Sequence, residues 1–131
     1  MASQGNNDFS YQKTSVVRGH HIYKAIWTPI LGEILQLRAE GTNEHDEHAI
    51  AVMKSGTTVG HVPHSMSRVC WFFLNRGGHI SCQIVGQRKF GIGLEVPGIY
   101  TFTSSSRRMI EKLERLLQET ESQSETLSCP H

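Results

Sequence analysis

The sequence predicts a mainly β, α+β domain: a small open β-barrel of about six strands with one short helix, followed by a C-terminal helix. Three observations predict it. Residues 14–103 hold almost all the β-branched and aromatic side chains, in short runs that alternate or are cut by glycine and proline. Within that segment only 66–76 changes to helical spacing. The segment is also short, with room for one modest core and too little chain for an enzyme-sized cleft. A single sheet carrying one helix curls into a barrel of the OB-like or SH3-like kind.

The elements follow in order. Residues 1–13 are polar and aperiodic and read as a disordered lead. Residues 15–18 and 22–27 read as strands around Gly19. In 32–38, Leu35 and Leu37 alternate with Gln36 and Arg38, which suits a strand. Residues 41–47 form a charged connection. The runs 49–54 and 57–62 flank Ser55-Gly56, a two-residue hairpin signal. Pro63 closes the second run because it has no N–H donor. Ser65 is the expected cap of a helix over 66–76, with Met66, Val69, Cys70 and Phe73 on its core stripe and Gly77-Gly78 as its stop. Residues 79–85 place Ile80, Cys82 and Ile84 on one strand face. A Gly-rich basic loop, 86–93, leads to a last strand, 94–102, in which Pro97-Gly98 suggests an edge or a bulge. The order is β-β-β-β-β-α-β-β.

Beyond 103, Met109, Ile110, Leu113, Leu116 and Leu117 recur at helical spacing within 104–120. Arg107 with Glu111, and Arg115 with Glu119, form i, i+4 pairs of opposite charge. Two heptads are too short for a secure coiled coil, so the stripe either packs back on the domain or meets a protein partner through 105–120. Residues 121–131 read as a disordered tail.

Composition excludes several classes of function. With 13 Lys+Arg against 12 Asp+Glu the net charge is +1. This is neither a strongly basic arm nor an acidic solvating tail. The longest apolar run is 69–74, whereas a spanning helix needs about 20 residues, so no membrane partner is expected. No signal peptide is expected either, since 1–13 has no basic start and no apolar centre. Cysteines at 70, 82 and 129 are odd in number and scattered, which points to reduced thiols in an intracellular protein.

The chain carries eight histidines. His45 and His48 are spaced H-x-x-H, as are His61 and His64, but off a helix that spacing does not converge two imidazoles. No cysteine pair stands at C-x-x-C spacing, so no metal or other cofactor is expected. Cys70 falls on the core stripe and Cys82 on a core strand face, where thiols are mostly inert. There is no G-x-S-x-G, and 86–91 lacks the Lys-Ser/Thr of a phosphate loop. Catalysis is not expected. Two loops remain. In 43–50, Asn43 and Asp46 either hold a turn or present a hydrogen-bonding pair to a ligand. Gln87-Arg88-Lys89, beside Gly86, Gly91 and Gly93, is either a solvated hairpin tip or a phosphate contact that glycines allow to approach closely.

These residues resemble the HIRAN domain family. The resemblance is carried by Val17-x-Gly19, by Gly32-Glu33-x-Leu35-x-Leu37-Arg38-x-Glu40, by Asn43-x-His45-Asp46-x-x-Ala49-Ile50-x-Val52, and by Val59-Gly60-His61-Val62-Pro63. It covers 15–103, more loosely over 80–102. It implies a modified OB-like barrel and a non-catalytic module that grips the 3′ end of single-stranded DNA or another nucleic acid, in a nuclear, DNA-repair or chromatin setting. By that resemblance Asn43, His45 and Asp46 sit at the DNA end; His21 and Tyr23 complete the expected DNA-binding residues, and the Gly-rich loop adds Arg88 and Lys89 on the backbone. His21 and Ile22, followed by Tyr23, stand where the family's DNA binder has Arg then Tyr. Leu94 stands near the position of its last-strand aromatic. Each lost stacking platform is worth about 1–3 kcal/mol per base. The alternative is therefore a protein-interaction adaptor that has kept the barrel and lost DNA-end binding.

Overall fold

Leu35 and Leu37 lie buried on one side of their strand while Ile34, Gln36 and Arg38 stay exposed on the other, the alternation expected of a strand with one covered face. The computed structural model describes residues 8–18, 27–40, 48–86 and 95–128, with side chains as far as 120. Its elements are β1 (Phe9–Val17), β2 (Ile34–Ala39), β3 (Ile50–Lys54), β4 (Thr57–His61), α1 (His64–Asn75), β5 (His79–Ile84), β6 (Val96–Ser104) and α2 (Arg107–Ser128). The strands form one six-stranded sheet in the order β1-β6-β5-β2-β3-β4, antiparallel at every pairing.

The sheet curls without closing along its length. Its outer strands meet at one isolated bridge, where the Arg18 N–H donates to the His61 carbonyl (2.8 Å) and the His61 N–H returns to the Arg18 carbonyl (3.0 Å). This is the mainly β, open-barrel architecture expected from the sequence, with two helices.

The β3–β4 hairpin turns on Ser55 (φ 51°) and Gly56 (φ 84°). Positive φ at both central residues is the type I′ geometry whose twist matches that of the strands. On α1, Met66, Val69, Cys70 and Phe73 are all buried, as the stripe predicts. Phe73 meets Phe102 of β6 edge to face, with ring centroids 5.6 Å apart. Ile80, Cys82 and Ile84 of β5 join the same continuous core. The α2 stripe also packs within the chain: Ile110, Leu113 and Leu117 are buried, and Met109 and Leu116 partly so. Its apolar face is therefore occupied, which removes the expected use of 105–120 to grip a protein partner through that face.

Several expectations need correction. Strand β1 begins at Phe9, inside the stretch read as a disordered lead, because its polar residues are ordered by a nine-residue register against β6. The last helix runs to Ser128 rather than ending at 120, since nothing in 121–128 breaks it. Ser65 is not the cap of α1. Pro63 holds that place with φ −56°, its carbonyl accepting the Met66 N–H at 2.9 Å, so the helix starts two residues too early for Ser65 to cap it. Nor does Pro97 mark an edge, for β6 lies between β1 and β5. The Pro97 carbonyl accepts the Val85 N–H (3.1 Å), so its missing donor faces the side where β5 has ended at Ile84, and the β1 ladder loses nothing. Among the described residues Arg107 pairs with Glu111 (3.6 Å), but Arg115 and Glu119 form no ion pair. The strand expected over 22–27 lies outside the described residues except for Trp27, which is not in a strand.

Candidate functional site

All the residues expected to meet a ligand lie outside the described residues: His21 and Tyr23 in 19–26, Asn43, His45 and Asp46 in 41–47, and Arg88 and Lys89 in 87–94. Ile22 and Leu94 lie there too. What the structure does describe is where these three segments are rooted, and the roots come together.

The first segment leaves the sheet at Arg18, the second at Glu40, and the third returns at Glu95. Arg18 Nε lies 3.2 Å from Glu95 Oε2. Arg18 also shares its backbone bridge with His61, whose Nε2 donates to Glu40 Oε1 at 2.8 Å. The Glu40 N–H in turn donates to the Ala49 carbonyl (2.9 Å), which fixes the other end of the second segment. One chain of contacts, Glu95–Arg18–His61–Glu40–Ala49, thus links all three roots into a rim at the seam of the open barrel. Gly60 makes the seam possible. A Cβ there would stand 2.9 Å from the Arg18 carbonyl oxygen, so only glycine lets β4 approach β1 this closely.

The remaining roots are pinned as well. Trp27, buried in the core, donates its indole N–H to Glu33 Oε2 (3.0 Å). Glu33 also accepts the Ile30 N–H (2.8 Å) and meets Lys54 Nζ (2.8 Å). Burial acts to raise the Glu33 carboxyl, but the bonds from Lys54, Ile30 and Trp27 outweigh it and hold the group below its ordinary range. The His48 ring stands edge-on to Trp71 of α1, with centroids 4.7 Å apart. The described frame thus anchors the ends of all three segments.

The rim supplies hydrogen-bond donors and acceptors but little net charge, since Arg18 is balanced by Glu95 and His61 sits on Glu40. Burial pushes both the Cys70 and Cys82 thiols up to about 12, so they are protonated and poor nucleophiles at neutral pH. Among the described residues no three His, Cys, Asp or Glu side chains cluster as a metal site would require. Among them, too, no helix is long and apolar enough to cross a membrane. The sequence reading gave no role to Arg18, Glu40, His61 or Glu95. Glu40 and His61 stood in Arg38-x-Glu40 and Val59-Gly60-His61, but the four partners are too far apart in sequence to be paired by pattern.

An open, six-stranded antiparallel sheet covered by two helices defines a class of small, mainly β domains. Within it, this chain has a HIRAN-like fold. It is similar to the crystal structure of the HIRAN domain of human HLTF, with a TM-score of 0.71 at 18% identity over 86% of this chain and 92% of that one. It is also similar to the NMR structure of that domain in its DNA-bound conformation, with a TM-score of 0.65 at 16% identity over 92% of this chain and 98% of that one. A Lactobacillus plantarum protein superposes with a TM-score of 0.56 at 13% identity, covering 74% of this chain and 98% of its own. No protein-family model and no curated protein matches the sequence.

Proposed function

We propose that this chain is a non-catalytic nucleic-acid binding module that receives the 3′ end of a DNA single strand at the rim described above. The observation that carries the reading is the convergence of roots. The three segments expected to bring Asn43, His45, Asp46, His21, Tyr23, Arg88 and Lys89 to a ligand leave the fold at one linked set of residues: Arg18, Glu40, His61 and Glu95. Chain length alone tethers these residues to the rim, since each residue of chain reaches at most about 3.6 Å. A neighbour of the same fold has a DNA-bound conformation, which supports the same reading. Asp46 would accept a hydrogen bond from a terminal 3′-hydroxyl, Asn43 would read the last nucleotide, and Tyr23 and His45 would offer stacking surfaces. The setting that suits such a module is DNA repair or chromatin, in the nucleus.

Fluorescence anisotropy with short oligonucleotides tests this. Binding to a free 3′-hydroxyl that weakens when the end carries a 3′-phosphate is expected. No binding to either at low salt removes the proposal. One observation favours a second reading, a protein-interaction adaptor. Leu31 is 70% exposed and Ile34 61% exposed, beside the turn that enters β2. Such an adaptor would use that patch rather than the 105–120 stripe, which is buried.

A further inference from the structure

We propose that the exposed face shared by α1 and α2 is a track for the phosphate backbone of a nucleic-acid strand whose end lies at the rim. This rests on the nucleic-acid reading above and adds a second surface to it.

Helix α1 contains no acidic residue. Arg68, Phe72 and Arg76 form one row along it at i, i+4 and i+8, Arg76 being the residue that ends the helix. The Arg76 guanidinium lies 4.1 Å from the Phe72 ring centroid, and Lys112 of α2 brings its ammonium to 4.9 Å from the same ring. Arg108 and Arg115 stand one turn before and after Lys112 on the same side of α2. All these cations are exposed. Among the described residues none of them enters an ion pair. The contrast with the rim is direct: there each cation faces a carboxylate, while here Arg76 and Lys112 share one aromatic ring and, among the described residues, neither they nor Arg68 enter an ion pair. In a chain whose net charge is only +1, this face is a local excess.

Stacking on an aromatic face leaves the edge of a guanidinium free to donate to two oxygens of one phosphate. It also restricts the side chain before binding, which lowers the ordering cost. The row from Arg68 to Arg76 covers about 12 Å of helix axis. The row begins close in sequence to His61 on the rim, so a strand with its 3′ end there would run its preceding phosphates toward α1. An acidic peptide offers carboxylates only where its sequence places them. A nucleic-acid backbone offers a charge at every step, which suits cations spaced along a helix.

The test uses the full chain and a triple variant, Arg68→Gln with Arg76→Gln and Lys112→Gln, which keeps Phe72 and removes the three charges, including the two that rest on its ring. Anisotropy is measured with 5′-labelled oligodeoxythymidylates of about 4 and about 16 nucleotides across a salt series. The wild type is expected to bind the longer strand more tightly. The triple variant should lose about tenfold or more of that affinity at low salt and flatten its salt slope by about two, while binding the shorter strand as before. An unchanged melting temperature shows that the variant folds. If the variant binds both strands as the wild type does, the track is overturned and the rim reading stands. If the wild type binds only the longer strand and the variant neither, the rim reading fails and the track stands. Binding of poly-glutamate in place of both oligonucleotides, or no binding of either by the wild type, overturns the track.

Discussion

Gly60 and Val17 touch across the seam of the open barrel, so closely that a Cβ on Gly60 would lie 2.5 Å from Val17 Cγ1. The same Cβ would press on the Arg18 carbonyl, a backbone atom with little freedom to yield. Gly60→Ala should therefore part β4 from β1 and cost about 1–3 kcal/mol, in the range of other overpacked sites. Urea denaturation measures this. A midpoint equal to that of the wild type would mean that the seam is not a constraint of the folded state.

Phe73 is fully buried and stands edge to face on Phe102. Phe73→Ala leaves a cavity between α1 and the sheet and should cost about 3–5 kcal/mol. For a domain of this size that is a large share of its stability. Thermal unfolding followed by circular dichroism should show a large drop in the midpoint or a chain that does not fold.

The stripe that put Phe73 in the core was legible because helical periodicity is local: Met66, Val69, Cys70 and Phe73 declare one face without help from elsewhere. The same holds for the turn at Ser55 and Gly56, whose chemistry lies within two residues. Strand β1 was only half legible. Its first residues are polar, and their order comes from β6, a strand far away in sequence. Pro97 was misread for a related reason. A proline's tolerance in a sheet depends on which side its absent N–H faces, and that is set by where β5 stops. At the candidate site, the 43–50 run and the basic loop could be singled out as motifs. The rim that roots them could not, because Arg18, Glu40, His61 and Glu95 come from four separate places in the chain.

Helix α2 buries Leu113 completely against the rest of the core. Leu113→Ala should cost about 2–5 kcal/mol. Deleting residues from 105 onward should lower the melting temperature further, because it uncovers the apolar surface that Ile110, Leu113 and Leu117 now cover. Sedimentation of the truncated chain should show self-association through that surface at high concentration. A truncated chain as stable as the full one would mean that α2 contributes nothing to the fold.

Glu33 should make the fold acid-sensitive. Its folded carboxyl titrates below its ordinary value, because Lys54 and the N–H groups of Ile30 and Trp27 bind the ionised form against the opposing effect of burial. The stabilisation is complete above the unfolded value, about 4.3, and is lost as pH falls through the lower folded value. Glu33→Gln keeps a carbonyl acceptor but loses the charge. It should destabilise the protein by about 1–3 kcal/mol at neutral pH. It should also flatten the fall in stability below about pH 4.3. Denaturant midpoints measured from neutral pH into the acid range check both effects, and parallel curves for the two proteins would contradict the role given to Glu33.

The proposed end-binding site makes two kinds of contact, and they should fail differently. Asp46 is acidic and cannot attract a phosphate; it can only accept a hydrogen bond, such as one from a terminal 3′-hydroxyl. Arg88 and Lys89 supply charge, which is blind to the end group and weakens as salt rises. Asp46→Ala should therefore erase the preference for a free 3′-hydroxyl over a 3′-phosphate while leaving the salt slope nearly unchanged. Arg88→Ala with Lys89→Ala should weaken both ligands together and flatten the slope by up to about two units. Anisotropy titrations of the two variants against both oligonucleotides at two salt concentrations separate the effects. If Asp46→Ala lowers both affinities equally and keeps the preference, the aspartate shapes the loop rather than meeting the strand end, and the end-specific part of the reading falls.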